Sequence, residues 1–342
     1  MKDFFKQQPN GYTDSIRRGM KAMRLYSGRF THGTGTWEEN IRRLKTELDT
    51  ADAVVVGAGA GLSASAGLTY SGERFEYWFG DFARKYDIRD MYSGGFFPFP
   101  DQETFWAWWS RHIYVNRYID APEPVYPMLL NLIKDKEYFV VTTNVDHQFQ
   151  RAGFDKARLF YTQGDYGLWQ SVNPKIQKTY DNAGAVLAMM EAQGFVRDAS
   201  GSFHIPESGK VLMRIPTELV PKCPDDGSYM MMNLRSDDSF VEDEGWHAAS
   251  ARYAEFLQKH ENGHVLYLEL GVGGNTPVII KYPFWAMAGE NPGAVYVCVN
   301  YGEAVCPHAL EHQSICIDSD IKIVLEALGN RPVEHEKEQG HE

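Results

Sequence analysis

Six short apolar runs divide this chain into strand-sized pieces, and helix-like patterns lie between most of them. The runs are at residues 53–56, 138–143, 158–161, 265–270, 294–299 and 314–317. Apolar periodicity predicts helices over about residues 37–50, 277–288 and 319–328. Alternation of this kind is typical of a parallel sheet covered by helices on both faces, so we predict an α/β, Rossmann-like fold.

The alternation stops between about residues 165 and 250, where Pro, Gly, Asp and Ser become frequent. We interpret residues 165–250 as a small inserted module, which leaves residues 37–164 and 251–330 for the Rossmann-like domain. Residues 1–36 form an N-terminal extension, and the Glu-, Lys- and His-rich residues 331–342 are predicted to be a flexible tail. An aromatic segment at residues 69–120 is either a lid or core packing.

Composition excludes several classes of function. The formal net charge of −12 argues against a nucleic-acid surface, because phosphate binding relies on clustered Lys and Arg. No apolar run approaches the roughly 18 residues that a membrane span needs. The first eight residues lack the apolar core of a signal peptide, and four cysteines in 342 residues do not indicate a disulfide framework. We therefore expect a cytoplasmic protein with no nucleic-acid or membrane partner.

A glycine-rich loop at residues 59–63 follows the first apolar run. A strand, a glycine turn and a helix of small residues together bind a pyrophosphate through backbone N–H groups. We therefore predict that a dinucleotide is held by Gly59, Ala60, Gly61 and Ser63. An ordinary Rossmann fold adds a carboxylate at the end of its second strand. Asp81 has that offset but lies in the aromatic segment, so other residues must hold the ribose.

Small and polar residues also follow three of the later runs. They are Thr142-Thr143-Asn144-Val145-Asp146, Gly271-Val272-Gly273 and the pair Asn300-Tyr301. Ligands of open α/β sheets bind at the carboxyl ends of the strands. We therefore add Thr143, Gly271, Gly273, Asn300 and Tyr301 to the predicted cofactor-binding residues, with the Asn300 amide able to bind ribose hydroxyls.

Five segments in this order resemble the sirtuin family. They are residues 59–63, residues 142–146, Gln163-Gly164, residues 271–273 and Val299-Asn300. The resemblance spans roughly residues 37 to 328 and implies that NAD, as a co-substrate, binds between a Rossmann-like domain and a small domain. It also implies catalytic roles for three residues. Asp146 would hydrogen-bond the nicotinamide carboxamide, while Asn144 and Gln163 would position the ribose as the bond to nicotinamide breaks.

The chain departs from the deacylases of this family at Gln163, where they carry a histidine. A carboxamide cannot act as a general base near neutral pH, so deacylation should be strongly impaired. Release of nicotinamide does not need that base, because electrostatic and positional help can suffice. The family's Pro-Asp-Phe-Arg segment is also replaced, and we expect Tyr70, Arg74 or Phe75 to shield the nicotinamide pocket instead.

The inserted module resembles a zinc ribbon that has lost its metal ligands. A structural zinc site needs four ligands, usually as two Cys pairs. Cys223 is alone here, and Asp226 stands where its partner would be, so we expect no zinc. The later segment at residues 233–243 carries acidic residues and Arg235, which would make a poor wall for an acyl-lysine tunnel. The alternative interpretation of that segment is a solvated loop.

These departures resemble one sirtuin class, the microbial macrodomain-linked class M. The motifs are at residues 163–167, 233–238 and 273–277. The resemblance implies protein mono-ADP-ribosylation, with a lipoylated, glycine-cleavage-H-like carrier protein as the acceptor and a partner macrodomain that reverses the modification. Two alternatives stay open: an NAD glycohydrolase, and a non-catalytic module that binds NAD or ADP-ribose.

Overall fold

The computed structural model describes residues 11–26, 28–33, 35–274 and 277–329. The strands are β1 (Phe30–Thr31), β2 (Ala53–Ala58), β3 (Tyr138–Thr142), β4 (Leu159–Tyr161), β5 (Gly164–Ser171), β6 (Thr179–Asp181), β7 (Val196–Arg197), β8 (Phe203–His204), β9 (Met230–Leu234), β10 (Val265–Leu270), β11 (Val295–Val299), β12 (Cys306–Pro307) and β13 (Ser314–Ile317). The helices are α1 (Gly11–Tyr26), α2 (Trp37–Thr50), α3 (Ala60–Ser65), α4 (Glu73–Tyr86), α5 (Met91–Gly95), α6 (Gln102–Ile113), α7 (Val125–Ile133), α8 (Gln148–Arg151), α9 (Ala183–Ala192), α10 (Glu244–His260), α11 (Lys281–Glu290) and α12 (Ile321–Gly329).

Six parallel strands form the central sheet, in the order β13, β11, β10, β2, β3, β4. Each of the six predicted apolar runs supplies one of these strands, and nearly every residue in them is buried, as expected for a sheet covered on both faces. The register places Ala58 of β2 level with Leu270 of β10 and with Thr142 of β3. The chain leaves β2 toward β3 and returns on the other side at β10. The switch point of the sheet therefore lies between β2 and β10, which is where such folds bind ligands.

Helices cover both faces of the sheet, which confirms the predicted fold class. On one face, Leu44 of α2, Leu129 of α7 and Val324 of α12 pack in a single apolar cluster with the strands. On the other face, α1, α10 and α11 pack against the sheet. The helix predicted for residues 277–288 begins later, at Lys281, because residues 277–280 form turns.

Helix α1 of the N-terminal extension is an integral part of the second face. A Cβ atom at Gly19 would lie 2.6 Å from Cδ of Pro283, so α1 approaches α11 at backbone distance. Strand β1 pairs with β12, with Thr31 opposite Cys306. The described part of the extension therefore packs on and pairs with segments from the last third of the chain.

The small module is built on an antiparallel sheet of β6, β5 and β9. Its core is shared with the aromatic segment, since the rings of Trp106 on α6 and Trp169 on β5 lie 4.8 Å apart. Of the two interpretations of that segment, the structure shows core packing for most of it. Helix α10 begins inside the segment assigned to the module but packs on the large sheet, where Tyr253 contacts Phe139.

No cluster of His, Cys, Asp and Glu suited to a metal ion occurs among the described residues. Asp226 instead accepts hydrogen bonds from Ser228 and Asn173, and Cys223 is buried. The predicted tail at residues 331–342 and Asn275 of the 273–277 motif lie outside the described residues. Within the described ranges, no helix combines the length and apolarity that a bilayer crossing requires.

Candidate dinucleotide site at the carboxyl edge of the sheet

Two glycine loops meet at the switch point of the sheet. The amide of Gly59 donates to the carbonyl of Leu270 at 3.0 Å, and that of Gly61 donates to Gly271 at 2.9 Å. Gly271 has a φ of +64°, and a Cβ there would lie only 2.5 Å from Cα of Gly61. The two loops, here called the glycine cradle, thus approach at a distance that only glycine allows, and the N–H groups of Gly59 and Gly61 are bound within the protein. Ala60 is exposed beside them.

Asn144 follows β3 and is fixed to the first glycine loop. Its Nδ2 donates to the carbonyl of Gly59 at 3.0 Å, and its backbone N–H donates to Oγ1 of Thr142 at 3.0 Å. The neighbouring Thr143 donates its N–H to Ala58 at 3.1 Å. The Asn144 side chain also hydrogen-bonds the phenol of Tyr126, which opposes the rise that burial causes in the pKa of that phenol.

Asp146 is buried two residues further on, with 6% of its surface exposed. Its Oδ2 accepts from Ser63 at 2.5 Å and its Oδ1 accepts from the backbone of Gln148 at 3.1 Å. Burial raises the pKa of Asp146 above its usual value, although these hydrogen bonds oppose that shift. The predicted pyrophosphate residue Ser63 thus uses its hydroxyl to hold this carboxylate, with Tyr126 2.9 Å away on its other side.

Gln163 lies directly after β4 and is half-buried. Its Nε2 donates to Oγ1 of Thr162 at 3.1 Å and to the hydroxyl of Tyr12 at 3.3 Å. Its backbone carbonyl accepts from the N–H of Arg235 at 3.0 Å. Gln163 is thereby joined to its own strand, to the N-terminal helix and to the small module.

Asn300 follows β11 at the other end of the site. Its Nδ2 donates to the carbonyl of Val272 at 3.1 Å, which ties it to the second glycine loop. Asn300 is 8% exposed, whereas the ring of Tyr301 is 82% exposed beside it. Gly273 is open, with no atom closer than 4.0 Å to the position of a Cβ.

Five of the predicted site residues, each of which follows a central strand, form one row across the sheet. From β11 to β4, the strand order places Asn300, Gly271, Gly59, Asn144 and Gln163 on five adjacent strands. At about 4.8 Å between neighbouring strands, the row spans roughly 19 Å. The arrangement suits an extended ligand that crosses several strands.

A buried polar network lies beside Asp146. The hydroxyl of Tyr70 is 2.7 Å from that of Tyr166, which is 3.0 Å from Nε2 of His112. Burial raises the pKa of Tyr70 to about 12 and lowers the pKa of His112 to about 3. At neutral pH the network is therefore uncharged. The charge of Asp146 raises the pKa of Tyr70 further.

Arg74 supplies a positive charge to the same region. It donates to Oδ1 of Asn116 at 3.0 Å and to the carbonyls of Val115 and Thr69. Burial lowers the pKa of Arg74 to about 10, so the guanidinium stays protonated at neutral pH. Arg74 offsets part of the negative charge of Asp146.

Several neighbours of the site carry no local sequence signal. Tyr12 reaches it only through the tertiary fold, and the 163–167 motif does not reveal that Tyr166 meets Tyr70. Arg235 belongs to the acidic segment, where it pairs with Glu242 at 2.6 Å and lies 4.3 Å from the ring centre of Phe240. Residues 236–239 of that segment are exposed, as the interpretation of a solvated loop predicts for them.

Asp81 lies away from the site, as its position in the aromatic segment predicts. It is on α4 and accepts two hydrogen bonds from the buried Arg111, at 2.7 and 2.9 Å. Asp81 therefore neutralises a buried guanidinium. It does not stand at the end of a strand, where a ribose carboxylate would be.

Comparison with known proteins identifies the family. No protein-family model matches the chain. It is 37% identical to the protein ADP-ribosyltransferase of Staphylococcus aureus (strain Mu50) over 290 residues, which cover 84% of this chain and 86% of that protein. It is 33% identical over 286 residues to the probable bifunctional ADP-ribose hydrolase/ADP-ribosyltransferase of Fusarium oxysporum f. sp. cubense, covering 80% of this chain and 45% of that protein.

The fold matches a solved sirtuin. The structure of Sir2Tm bound to a propionylated peptide superposes with a TM-score of 0.51 at 16% identity, and the match covers 84% of this chain and 95% of that one. The sirtuin fold predicted from the ordered motifs is thereby confirmed. The chain therefore has a sirtuin fold and belongs to the same family as the Staphylococcus aureus protein ADP-ribosyltransferase.

Proposed function

We propose that this protein is an NAD-dependent protein mono-ADP-ribosyltransferase. The bond between the nicotinamide nitrogen and ribose C1′ breaks, and nicotinamide leaves with the bonding electron pair. A nucleophilic atom of the acceptor bonds to C1′, and its proton is released. The observation that carries the proposal is Gln163, a carboxamide at the end of β4 where sirtuin deacylases carry a base, in a chain related to an ADP-ribosyltransferase.

The residues of the edge fit NAD as substrate. Gly59, Gly61 and Gly271 lie at the carboxyl edge of the central strands beside the exposed Ala60, and we place the pyrophosphate against these loops. Asn300 and Gly273 lie on the side of β10 and β11, where we place the adenosine half. Asn144 and Gln163 lie on the side of β3 and β4, where we place the nicotinamide ribose.

The nicotinamide end is assigned to Asp146. Its carboxylate can accept a hydrogen bond from a carboxamide N–H in addition to those from Ser63 and Gln148, because each oxygen has two lone pairs. Arg74 and Tyr70 close the same region against water. Exclusion of water strengthens the electrostatic interactions that stabilise charge at the breaking bond.

The two carboxamides explain why transfer is favoured over deacylation. Nδ2 of Asn144 and Nε2 of Gln163 donate to the protein, and we assign the carbonyl oxygens of both side chains to the ligand. Such an oxygen can orient a ribose hydroxyl, but it cannot take the hydroxyl proton. The site can position ribose C1′ for an outside nucleophile without activating the ribose itself.

We further propose a lipoylated, glycine-cleavage-H-like carrier protein as the acceptor and a macrodomain protein as the functional partner. Both rest on the resemblance to class M sirtuins through residues 163–167 and 233–238. The exposed residues of the second segment lie next to Arg235 and therefore near Gln163. An acceptor that approaches ribose C1′ would pass this segment.

The test is release of nicotinamide from labelled NAD, measured with a lipoylated carrier, with the same carrier lacking lipoate, and without carrier. We expect label on the carrier that depends on lipoylation. Release without protein label would support the NAD glycohydrolase, in which water replaces the acceptor. Binding of NAD without release would support the non-catalytic module.

Variants assign the chemistry to the site. The double variant Asn144→Ala, Gln163→Ala should lose transfer, because both acceptor oxygens for the ribose are removed. The matched control is Gln177→Ala, a glutamine whose Nε2 is bound to the backbone of Pro174 at an exposed position of the module. Transfer that survives in the double variant would contradict the assignment.

A further inference from the structure

We infer that Tyr12, in the N-terminal helix, is a positioning residue that fixes the carboxamide of Gln163 with its carbonyl oxygen toward the ligand. This inference deepens the proposed function and rests on it. The contact gives α1 a direct part in the site, although Tyr12 lies 151 residues before Gln163 in the chain. The argument starts from the hydrogen bonds that determine the orientation of the amide.

Thr162 sets the direction of the Gln163 amide. Its hydroxyl donates its single proton to the carbonyl of Thr142 at 3.1 Å, so it can only accept from Gln163. The atom that faces Thr162 at 3.1 Å must therefore be the donor Nε2. The second proton of Nε2 is directed at the hydroxyl oxygen of Tyr12, at 3.3 Å. With both protons used, Oε1 is the atom left for a ligand.

Tyr12 is itself held firmly. It is 4% exposed, and its ring makes edge contacts with Trp246 at 5.2 Å and with Phe160 at 5.8 Å between ring centres. Burial raises the pKa of Tyr12, so the phenol stays neutral at the pH of the reaction. The close packing of α1 at Gly19 against Pro283 fixes the helix that carries it. Tyr12 is a rigid anchor for the amide.

Loss of the Tyr12 hydroxyl would leave Gln163 attached to Thr162 by one hydrogen bond. The amide could then rotate, and Oε1 would spend less time in the position that orients a ribose hydroxyl. A neutral hydrogen bond contributes modestly, so nicotinamide release at saturating NAD should fall by about 2- to 10-fold. The KM for NAD should change less, because the glycine cradle and Asn300 are untouched.

The experiment compares Tyr12→Phe with Tyr26→Phe, which makes the same chemical change at the far end of the same helix. Nicotinamide release is measured for both, and again for Tyr12→Phe combined with Gln163→Ala. We expect a loss in Tyr12→Phe, none in Tyr26→Phe, and no additional loss when Gln163 is already alanine. Full activity of Tyr12→Phe, or losses that multiply in the double variant, would overturn the inference.

A second measurement separates this inference from the proposed function. The side-chain amide resonances of Gln163 can be assigned in nitrogen-edited NMR spectra by their absence in Gln163→Ala. They should shift in Tyr12→Phe and stay in place in Tyr26→Phe, whether or not the protein turns over NAD. Unchanged resonances would refute the contact. An inactive wild type with shifted resonances would refute the proposed function alone.

Discussion

Substitution of Gly271 by alanine tests whether the two glycine loops must approach at backbone distance. The new Cβ would lie 2.5 Å from Cα of Gly61 and 2.6 Å from the backbone nitrogen of Leu62, so backbone would have to move. The φ of +64° adds strain of about 1–2 kcal/mol for an L residue, and overpacking adds about 1–3 kcal/mol. We expect Gly271→Ala to lower the free energy of unfolding by about 2–5 kcal/mol.

Gly209 offers the matched control, because its φ is +67° and no atom lies within 4 Å of its Cβ position. Gly209→Ala should therefore show the strain without the clash. For 342 residues the unfolding entropy is roughly 0.7 kcal/mol/K, so Tm should fall by about 3–7 °C in Gly271→Ala and about 1–3 °C in Gly209→Ala.

The assays are thermal unfolding and NAD binding by calorimetry. Gly271→Ala should also weaken NAD binding, because the movement that relieves the clash opens the cradle. Gly209→Ala should bind NAD like the wild type. If Tm falls equally in the two variants, or if Gly271→Ala binds NAD with wild-type affinity, the site does not require the close approach of the two glycine loops.

Three further outcomes can be checked. Asp81→Asn should lose about 3 kcal/mol of stability in urea unfolding, because it leaves the buried Arg111 uncompensated, yet NAD affinity should not change. Burial alone would raise the pKa of Asp165, but the hydrogen bond from His147 and the charge of Arg117 outweigh it and lower the pKa below its usual 3.8. Asp165 therefore stabilises the folded state above that pH, so Asp165→Asn should be much less stable than wild type at pH 7 and the difference should shrink below about pH 4. A chelator should leave Tm unchanged in calorimetry; a fall would reveal a structural metal.

The sheet and its edge could be predicted from the sequence because both follow from local patterns. Each apolar run forms a central strand. Because parallel strands run in the same direction, the glycines and amides that follow them lie at the same carboxyl edge of the sheet. The spatial order of Asn300, Gly271, Gly59, Asn144 and Gln163 differs from their order in the chain and is set by the strand order of the sheet, which the motifs do not specify.

The surroundings of the edge could not be predicted, because they depend on contacts between distant segments. Tyr12 reaches Gln163 from a helix with no motif, and Tyr166 meets Tyr70 across 96 residues. The sequence does not distinguish a lid from core packing for residues 69–120, because aromatic residues are suited to both. The partner of that segment in the core, Trp169, lies in the inserted module, where frequent Pro, Gly, Asp and Ser give no sign of a shared core.

The packing of α1 against α11 also determines when, during synthesis of the chain, α1 can dock in its final position. The first helix leaves the ribosome early, but its binding surface includes Pro283, so it must wait until about four-fifths of the chain has been made. Strand β2 waits for β10 in the same way. Nascent chains that stop before residue 281 therefore lack α11 and its close contact with α1, the helix that carries Tyr12.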